Sequence, residues 1–481
     1  MKKRHLIRGT KLASLILGLG LLAGCATNPV TGDRDFVLMS EQDEIQLGQK
    51  NHESILKQYS VYHNEPMAQL VDELGQKLAK ESHRSHLDFK FTLLDSPEVN
   101  AFALPGGYIY ITRGIIAYMN NEEELAGVLG HEIGHVTARH GVRQHSAQTT
   151  AGLLGAIVTM ATGSQDIGNL SNQLSNALVR GYGRNHELEA DRLGAEYLAV
   201  TGYDPEKMLG VVGILKDQEE FEIQRAREEN RQPRVYHGVF STHPRNDLRL
   251  QEVVRAAKKF ENPNARKTDP ERFLRYLDNT TYGDSEKQGI VHENAFFHRD
   301  LDLSITFPEG WRIENRPTQL IAMKRDQTAA IIVEIDQPSA SESSADHLKR
   351  RFPELTNGQT IDSRSYTGLV QGQTPFGNGP VRVASVFHDD RAYILSMFAK
   401  AELPDDSFFD TAQSISNIRW RDRNKARERK ITLIRANGNT TFASLAKRSS
   451  LGDYAEEKLR LLNGMYPDGE PRPGQLIKII K

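Results

Sequence analysis

The sequence predicts a multidomain α+β chain. A mainly helical domain with a small sheet comes first, then a second α+β domain, then a small βααβ unit. Three observations carry this. The chain has 481 residues, enough for two to four domains at roughly 100–200 residues each. Apolar residues recur at helical spacing over much of 41–230, and from about 296 the pattern changes to strands. A basic polar run at 421–430 (RDRNKARERK) then reads as a solvated linker, setting apart residues 431–481.

Composition narrows the class. Hydrophobic residues make up 38% and charged residues 26%, with 38 glycines. That is ordinary globular usage and excludes a disordered or collagen-like chain. No apolar run reaches the ~20 residues that span a bilayer, which excludes a polytopic membrane protein. The net charge is −2. The first 24 residues hold Lys2, Lys3, Arg4, Arg8 and Lys11 and no acid; without them 56 basic residues face 63 acidic ones. A nucleic-acid partner is not expected on that balance.

The N-terminus reads as an address. Residues 1–11 are basic and 12–23 (LASLILGLGLLA) are apolar, followed by Gly24 and Cys25. This is the pattern of a secretory signal, placed here at 1–24. Cys25 is the sole cysteine, so disulfides within the chain are impossible. LAGC resembles the bacterial lipobox. That resemblance implies lipid on the Cys25 thiol and amine, and attachment to a membrane through it. Ala26 follows rather than Asp, which favours an outer-membrane lipoprotein of the bacterial envelope, facing the periplasm.

Residues 41–58 and 64–81 read as helices, with Ile45, Leu47, Leu70, Val71, Leu74 and Leu78 on their apolar positions. Residues 88–94 and 108–112 read as strands around the turn at 105–107. A helix follows from about 121, where Asn121 and three glutamates suit its N-terminus. The Ala-, Gly-, Ser- and Asn-rich stretch 146–180 is a candidate lid. Helices resume at 184–200 and 205–230, and 262–290 reads as a polar boundary. Strands are expected at 301–306, 319–323, 329–335, 381–387 and 392–398, with helices at 344–352 and 405–415.

The chemistry is carried by two helical pieces. Residues 131–135 read His-Glu-Ile-Gly-His. Positions i and i+4 share a helix face, so His131 and His135 can offer two imidazoles to one metal, while Glu132 can reach a water on it. A catalytic zinc takes three protein ligands and keeps one position open. Residues 185–191 read Asn-His-Glu-Leu-Glu-Ala-Asp. Glu187 and Asp191 share a face and Glu189 points nearly opposite, so Glu187 or Glu189 can be the third ligand, but not both. His140, five residues past His135, is expected to face elsewhere; His145 and His186 read as bystanders.

HEIGH at 131–135 followed by ELEAD at 187–191 resembles the HtpX/BepA-like zinc metallopeptidases, peptidase family M48. Further matches are FALPGGYIYITRG at 102–114, ARHG at 138–141, STHP at 241–244 with Arg249, and NPVTG at 28–32. The resemblance covers about 28–255 and implies a zincin-like metallopeptidase domain, placed here at 25–285. It implies one zinc per chain, held by His131, His135 and Glu187, with Asp191 behind the metal or donating protons. Zinc would lower the pKa of its water and polarise the scissile carbonyl of a polypeptide substrate. Glu132 would take the proton and pass it to the leaving amine. His243 or Arg249 is the candidate donor to the oxyanion, and by resemblance His243 would also latch the open metal position. The strand at 108–112 is the expected edge for an extended substrate.

Residues 296–420, within a second domain placed at 290–420, faintly resemble PsbP-like or similar α+β modules and show no catalytic constellation. Residues 431–481 resemble a LysM module, through Gly438-Asn439-Thr440, Leu462-Asn463 and Pro473-Gly474-Gln475-Leu476. That implies peptidoglycan as a partner. Asn439 stands where that family usually has Asp. The expected function is a lipid-anchored periplasmic zinc endopeptidase acting on envelope proteins, including misfolded outer-membrane ones. Two alternatives are a latched chaperone-like or adaptor lipoprotein and a peptidoglycan-binding protein.

Overall fold

A computed structural model describes residues 25–37, 39–146, 183–233, 255–256, 258–260, 268–316 and 318–481. The address segment at 1–24, nearly all of the candidate lid at 146–180, and the STHP motif with His243 and Arg249 lie outside the described residues. The chain divides into two compact units. One comprises 1–225, 233–280 and 431–481; the other comprises 226–232 and 281–430. Among the described residues no helix is long and apolar enough to cross a membrane.

The first unit opens with a ribbon of β1 (Cys25–Thr27) against β2 (Arg34–Phe36). The NPVTG turn between them is held by Asn28, whose Oδ1 accepts from the backbone N–H of Val30 and Thr31. Helix α1 (Glu41–Gln58) starts at Ser40, which forms a reciprocal capping box with Asp43. Helix α2 (Glu65–Lys80) is capped by Asn64 and buries Leu70, Val71, Leu74 and Leu78 as one stripe.

Strands β3 (Lys90–Leu94), β4 (Ala101–Leu104) and β5 (Tyr108–Thr112) form a sheet in the order β3-β5-β4, with β3 parallel and β4 antiparallel to β5. This corrects the expectation for 108–112. That strand is central, buried at all five residues, and cannot be the edge a substrate pairs with. The outer strands are β3, which carries an isolated bridge from Leu94 to Val61, and β4, an edge that the short FALP run did not reveal. Helices α3 (Arg113–Tyr118), α4 (Glu122–Thr137), α5 (Arg184–Val200) and α6 (Met208–Glu228) follow. The stretch read as a polar boundary contains α7 (Pro270–Leu277), which buries Phe273, Leu274 and Leu277 among charged neighbours.

The second unit begins with β6 (Thr281–Tyr282), then β7 (Ile290–His292), β8 (Ala295–His298) and β9 (Leu303–Thr306), of which the last three form an antiparallel sheet. Its main sheet contains β10 (Arg312–Arg316), β11 (Gln319–Met323), β12 (Ala329–Asp336), β13 (Thr356–Asp362), β14 (Ser365–Thr374), β15 (Gly377–His388) and β16 (Arg391–Ala399). The order is β10-β11-β12-β16-β15-β14-β13, antiparallel throughout. Helices α8 (Ser344–Arg351) and α9 (Asp405–Ser414) accompany it, and Phe408 joins Ile305, Phe307, Val386 and Leu395 in the core. Ser385 Oγ lies 3.1 Å from His347 Nδ1, and His347 Nε2 lies 3.6 Å from Asp336 Oδ2. Ser385 is fully buried, so this trio ties α8 to the sheet and presents no nucleophile to a substrate.

Returning to the first unit, β17 (Arg429–Arg435), α10 (Phe442–Ala446), α11 (Ala455–Leu462) and β18 (Leu476–Ile480) complete the chain, with β17 and β18 antiparallel. The expected linker at 421–430 is not fully solvated: Ala426 is buried against Phe297 and Ile418, and β17 begins at Arg429. The C-terminal segment is pinned to the zinc-motif side of its unit. Lys478 Nζ is buried and donates to the carbonyls of Ala117 (2.7 Å) and Met119 (2.8 Å), the free acceptors at the end of α3. Tyr466 donates to Gln224 Oε1 at 2.7 Å, and Phe221 meets Tyr454 and Tyr466 edge-on.

Burial pushes Lys478 down to about 7, against the opposing pull of the Glu124 carboxylate. A neutral amine still has two N–H bonds for the two carbonyls. An unfolded lysine titrates near ~10.4. Between these values the unfolded chain binds the extra proton. The group's contribution is therefore whole above the unfolded pKa and is lost as pH falls toward 7. Urea midpoints are expected to rise from about pH 7.5 to about 9.5, with Lys478→Met flattening the rise. An equal rise in the variant would refute the assignment.

Candidate metal centre

Helix α4 carries HEIGH and crosses α5 at close range. Glycines make that approach possible. A Cβ on Gly134 would sit 3.0 Å from the Ala190 carbonyl oxygen, and one on Gly194 would sit 3.1 Å from the His131 nitrogen. Without those side chains the two backbones come near enough for short carboxylates on α5 to reach the imidazoles on α4.

The result is a closed set of three donors. His131 Nε2 and His135 Nε2 lie 3.0 Å apart. Glu187 Oε2 is 3.5 Å from the first and Oε1 is 3.4 Å from the second. His131, His135 and Glu187 are all buried, and their ligand atoms lie within 4.8 Å of one another. Glu187 faces the two imidazoles, and Glu189 does not.

Each imidazole is oriented through its remote nitrogen. His131 Nδ1 sits 2.9 Å from Asp191 Oδ1. His135 Nδ1 sits 2.8 Å from His140 Nδ1, and His140 Nε2 sits 3.1 Å from Glu189 Oε2. Arg143 Nη1 also reaches Glu189 Oε2 at 3.1 Å. With both Nε2 atoms given to a metal, the protons fall into place. His131 and His135 would then each carry theirs on Nδ1, and His140 its own on Nε2, toward Glu189.

Here the structure corrects the reading of His140. The helix ends at Thr137, Arg139 adopts φ 55°, and the chain folds His140 back behind His135. His186 is no bystander either, since its ring stacks on His140 at 4.3 Å between centroids.

Electrostatics favour the neutral, metal-binding form at His135 and the charged form at His131. Burial holds His135 and His140 below the ordinary imidazole range and takes His186 to about 4. Neutral imidazole is the form that binds metal. Burial also opposes charge on His131, but the Asp191 and Glu187 carboxylates outweigh it and raise its pKa. Burial would raise Glu189, yet the bonds from His140 and Arg143 hold it down at about 2. Two imidazoles, one carboxylate and oriented outer partners fit zinc.

Glu132 is buried beside His131 and Asp191 on a cavity whose other wall is apolar, formed by Ile115, Val128, Met208 and Leu215. A shared network holds this end of the unit. Glu44 on α1 accepts from Arg84 at 2.8 and 3.2 Å and from Arg139 at 2.9 Å. Arg84 also donates to the Val136 carbonyl at 3.0 Å. Nothing in the spacing of these residues pointed to that network.

Comparison with known proteins agrees with this geometry. Residues 67–257 match the model of peptidase family M48. The beta-barrel assembly-enhancing protease of Yersinia pestis is 29% identical over 279 residues, covering 54% of this chain and 55% of that protein. The protein of the same name from Escherichia coli (strain K12) is 33% identical over 200 residues, covering 40% and 39%. The mitochondrial metalloendopeptidase OMA1 of Schizosaccharomyces pombe is 31% identical over 184 residues, covering 37% and 53%. The matched stretches span about half or less of those relatives' own lengths.

Proposed function

We propose that residues 67–257, which match the model of peptidase family M48, form a zinc metallopeptidase domain, and that the chain is a zinc-dependent endopeptidase of the bacterial envelope. The observation that carries this is the convergence of His131, His135 and Glu187, with Asp191 and His140 each behind one imidazole. When bound, zinc supplies a Lewis acid for the scissile carbonyl and the attacking water.

The chain's own residues do the rest. Glu132 takes the proton of the attacking water and returns it to the leaving amine. Asp191 is a positioning residue for His131, as His140 is for His135. An extended polypeptide adds to the β4 edge, which puts main-chain bonds in charge of affinity and leaves side-chain demands to the apolar wall of Val128, Met208 and Leu215. His243 or Arg249 serves as oxyanion donor, and His243 as a latch on the open metal position.

The address segment and Cys25 support a lipid-anchored protein on the periplasmic side of the outer membrane. The substrates proposed are envelope polypeptides, among them misfolded outer-membrane proteins, and the relatives' name, beta-barrel assembly-enhancing protease, supports β-barrel proteins as a class. Peptidoglycan binding by 431–481 is a separate proposal that rests on its likeness to LysM.

The test is metal content measured together with cleavage of an unfolded protein such as casein. The full chain is expected to carry one zinc and to cleave, while His135→Ala loses both. Faster cleavage by His243→Ala would support the latch. A chain that binds no zinc would overturn the proposal, and a zinc-loaded chain that no substitution or substrate renders active would favour the adaptor.

A further inference from the structure

Trp420 is the most exposed large apolar side chain among the described residues, at 84%. It begins a short helical turn, Trp420–Asp422. Arg419, Arg421, Arg423, Lys425 and Arg427 around it are all exposed. Residues 419–430 hold seven basic and two acidic side chains, in a chain whose acidic residues outnumber its basic ones. Asp422 is 3.7 Å from Arg421 and 3.1 Å from Lys425. Arg419, Arg423 and Arg427 have no carboxylate partner among the described residues.

The base beneath this ridge is ordered. The Asp422 N–H donates to the Arg419 carbonyl and the Lys425 N–H to the Asp422 carbonyl, both at 2.9 Å. Ile418 and Ala426, on either side of the turn, are buried with Phe297. A flexible solvated linker has no such footing. Here the chain is anchored at both ends of the turn, and the indole is held out into water among guanidinium groups.

We infer that this ridge docks on an anionic phospholipid bilayer. An indole prefers the boundary between headgroups and acyl chains, where its ring is apolar and its N–H stays wet. Guanidinium groups bind lipid phosphates through paired N–H donors. Each cation near an anionic surface strengthens attachment about fivefold. The inference rests on the proposed lipid at Cys25, which keeps a bilayer surface within reach. The ridge would then hold the second unit at the membrane surface, beyond what a single flexible tether does.

The chain has two tryptophans, so Trp311→Phe leaves Trp420 as the sole indole. The full lipid-bearing chain would be reconstituted with vesicles of phosphatidylcholine alone or of an equal mixture with phosphatidylglycerol. Flotation reports the anchor, and Trp420 fluorescence reports the ridge. The expected result is flotation with both vesicles. Trp420 emission shifts to the blue and is quenched by acyl-brominated lipid only with the mixed vesicles. The triple change Arg419→Ser, Arg421→Ser, Arg423→Ser should lower the quenching several-fold. Flotation only with mixed vesicles would sink the anchor and keep the ridge. Water-like emission on mixed vesicles would overturn the ridge whatever the flotation shows. A blue shift only with peptidoglycan fragments or unfolded polypeptide would overturn it too and assign the surface to that partner.

Discussion

Glu132→Gln is expected to lower kcat/KM on an unfolded protein by about 10²–10⁴-fold, the usual worth of a positioned acid–base group, with zinc still bound. Two features separate this change from loss of the metal. Glu132 is not among the three converging donors, so the amide leaves His131, His135 and Glu187 in place. Glutamine is also nearly isosteric, and it stays on the same cavity wall beside Ile115 and Val128. What disappears is the ability to take a proton from water and deliver it to an amine. The loss should therefore appear in kcat, with KM nearly unchanged. Zinc measured on the same preparation should stay at the parent level. A variant that keeps both zinc and cleavage would remove Glu132 from the mechanism, and one that loses both would recast it as a structural residue.

What could be read beforehand follows the range over which each signal acts. The bounds of α1 were legible because they are set locally, by the cap at Ser40 and the apolar spacing after it. The i, i+4 rule placed His131 with His135 and limited the third ligand to Glu187 or Glu189. The structure turns Glu187 inward because α5 meets α4 on the face carrying Ala190 and Gly194.

Long-range pairing was not legible. Strand 108–112 shows its β character in its own residues, but its central place depends on β4, four residues with no alternation to mark them. His140 was misread for a similar reason. A five-residue offset from His135 points away only if the helix continues, and this one ends at Thr137. Lys478 sits in LIKII, where alternation suggests a solvent-facing side chain. Its burial is set by two carbonyls more than 350 residues earlier. Glu44 is one of four acidic residues in 41–58 with nothing local to set it apart, and its partners Arg84 and Arg139 are 40 and 95 residues away.

Glu44→Gln should be among the most destabilising single changes in the first unit, by about 3–5 kcal/mol, because it leaves buried Arg139 without its Glu44 counter-charge and takes one of two carboxylates from buried Arg84. Glu44 and Arg84 are fully buried and Arg139 is 8% exposed. The carboxylate accepts from both guanidiniums and from the Gly106 N–H at 3.3 Å. An amide offers one oxygen in place of two and turns N–H donors toward a guanidinium. Arg84 keeps Glu41 and the Val136 carbonyl, so part of its bonding survives. The Arg139 guanidinium keeps, among the described residues, the Met39 carbonyl at 3.1 Å, while the backbone of its left-handed turn keeps the bond from the Arg139 N–H to the Val136 carbonyl at 3.1 Å. That conformation is itself unfavourable by about 1–3 kcal/mol for a side chain other than glycine, and it persists because the surroundings fix it. Once freed, the turn should relax and draw His140 away from His135. The second expected result is therefore at the metal: zinc affinity falls about 10–100-fold, as when an outer partner of a ligating histidine is removed. Urea melts and zinc titrations of Glu44→Gln read the two effects separately. Loss of stability with zinc affinity unchanged would mean that the turn at Arg139 holds without Glu44, and that α1 steadies the fold without steadying the site.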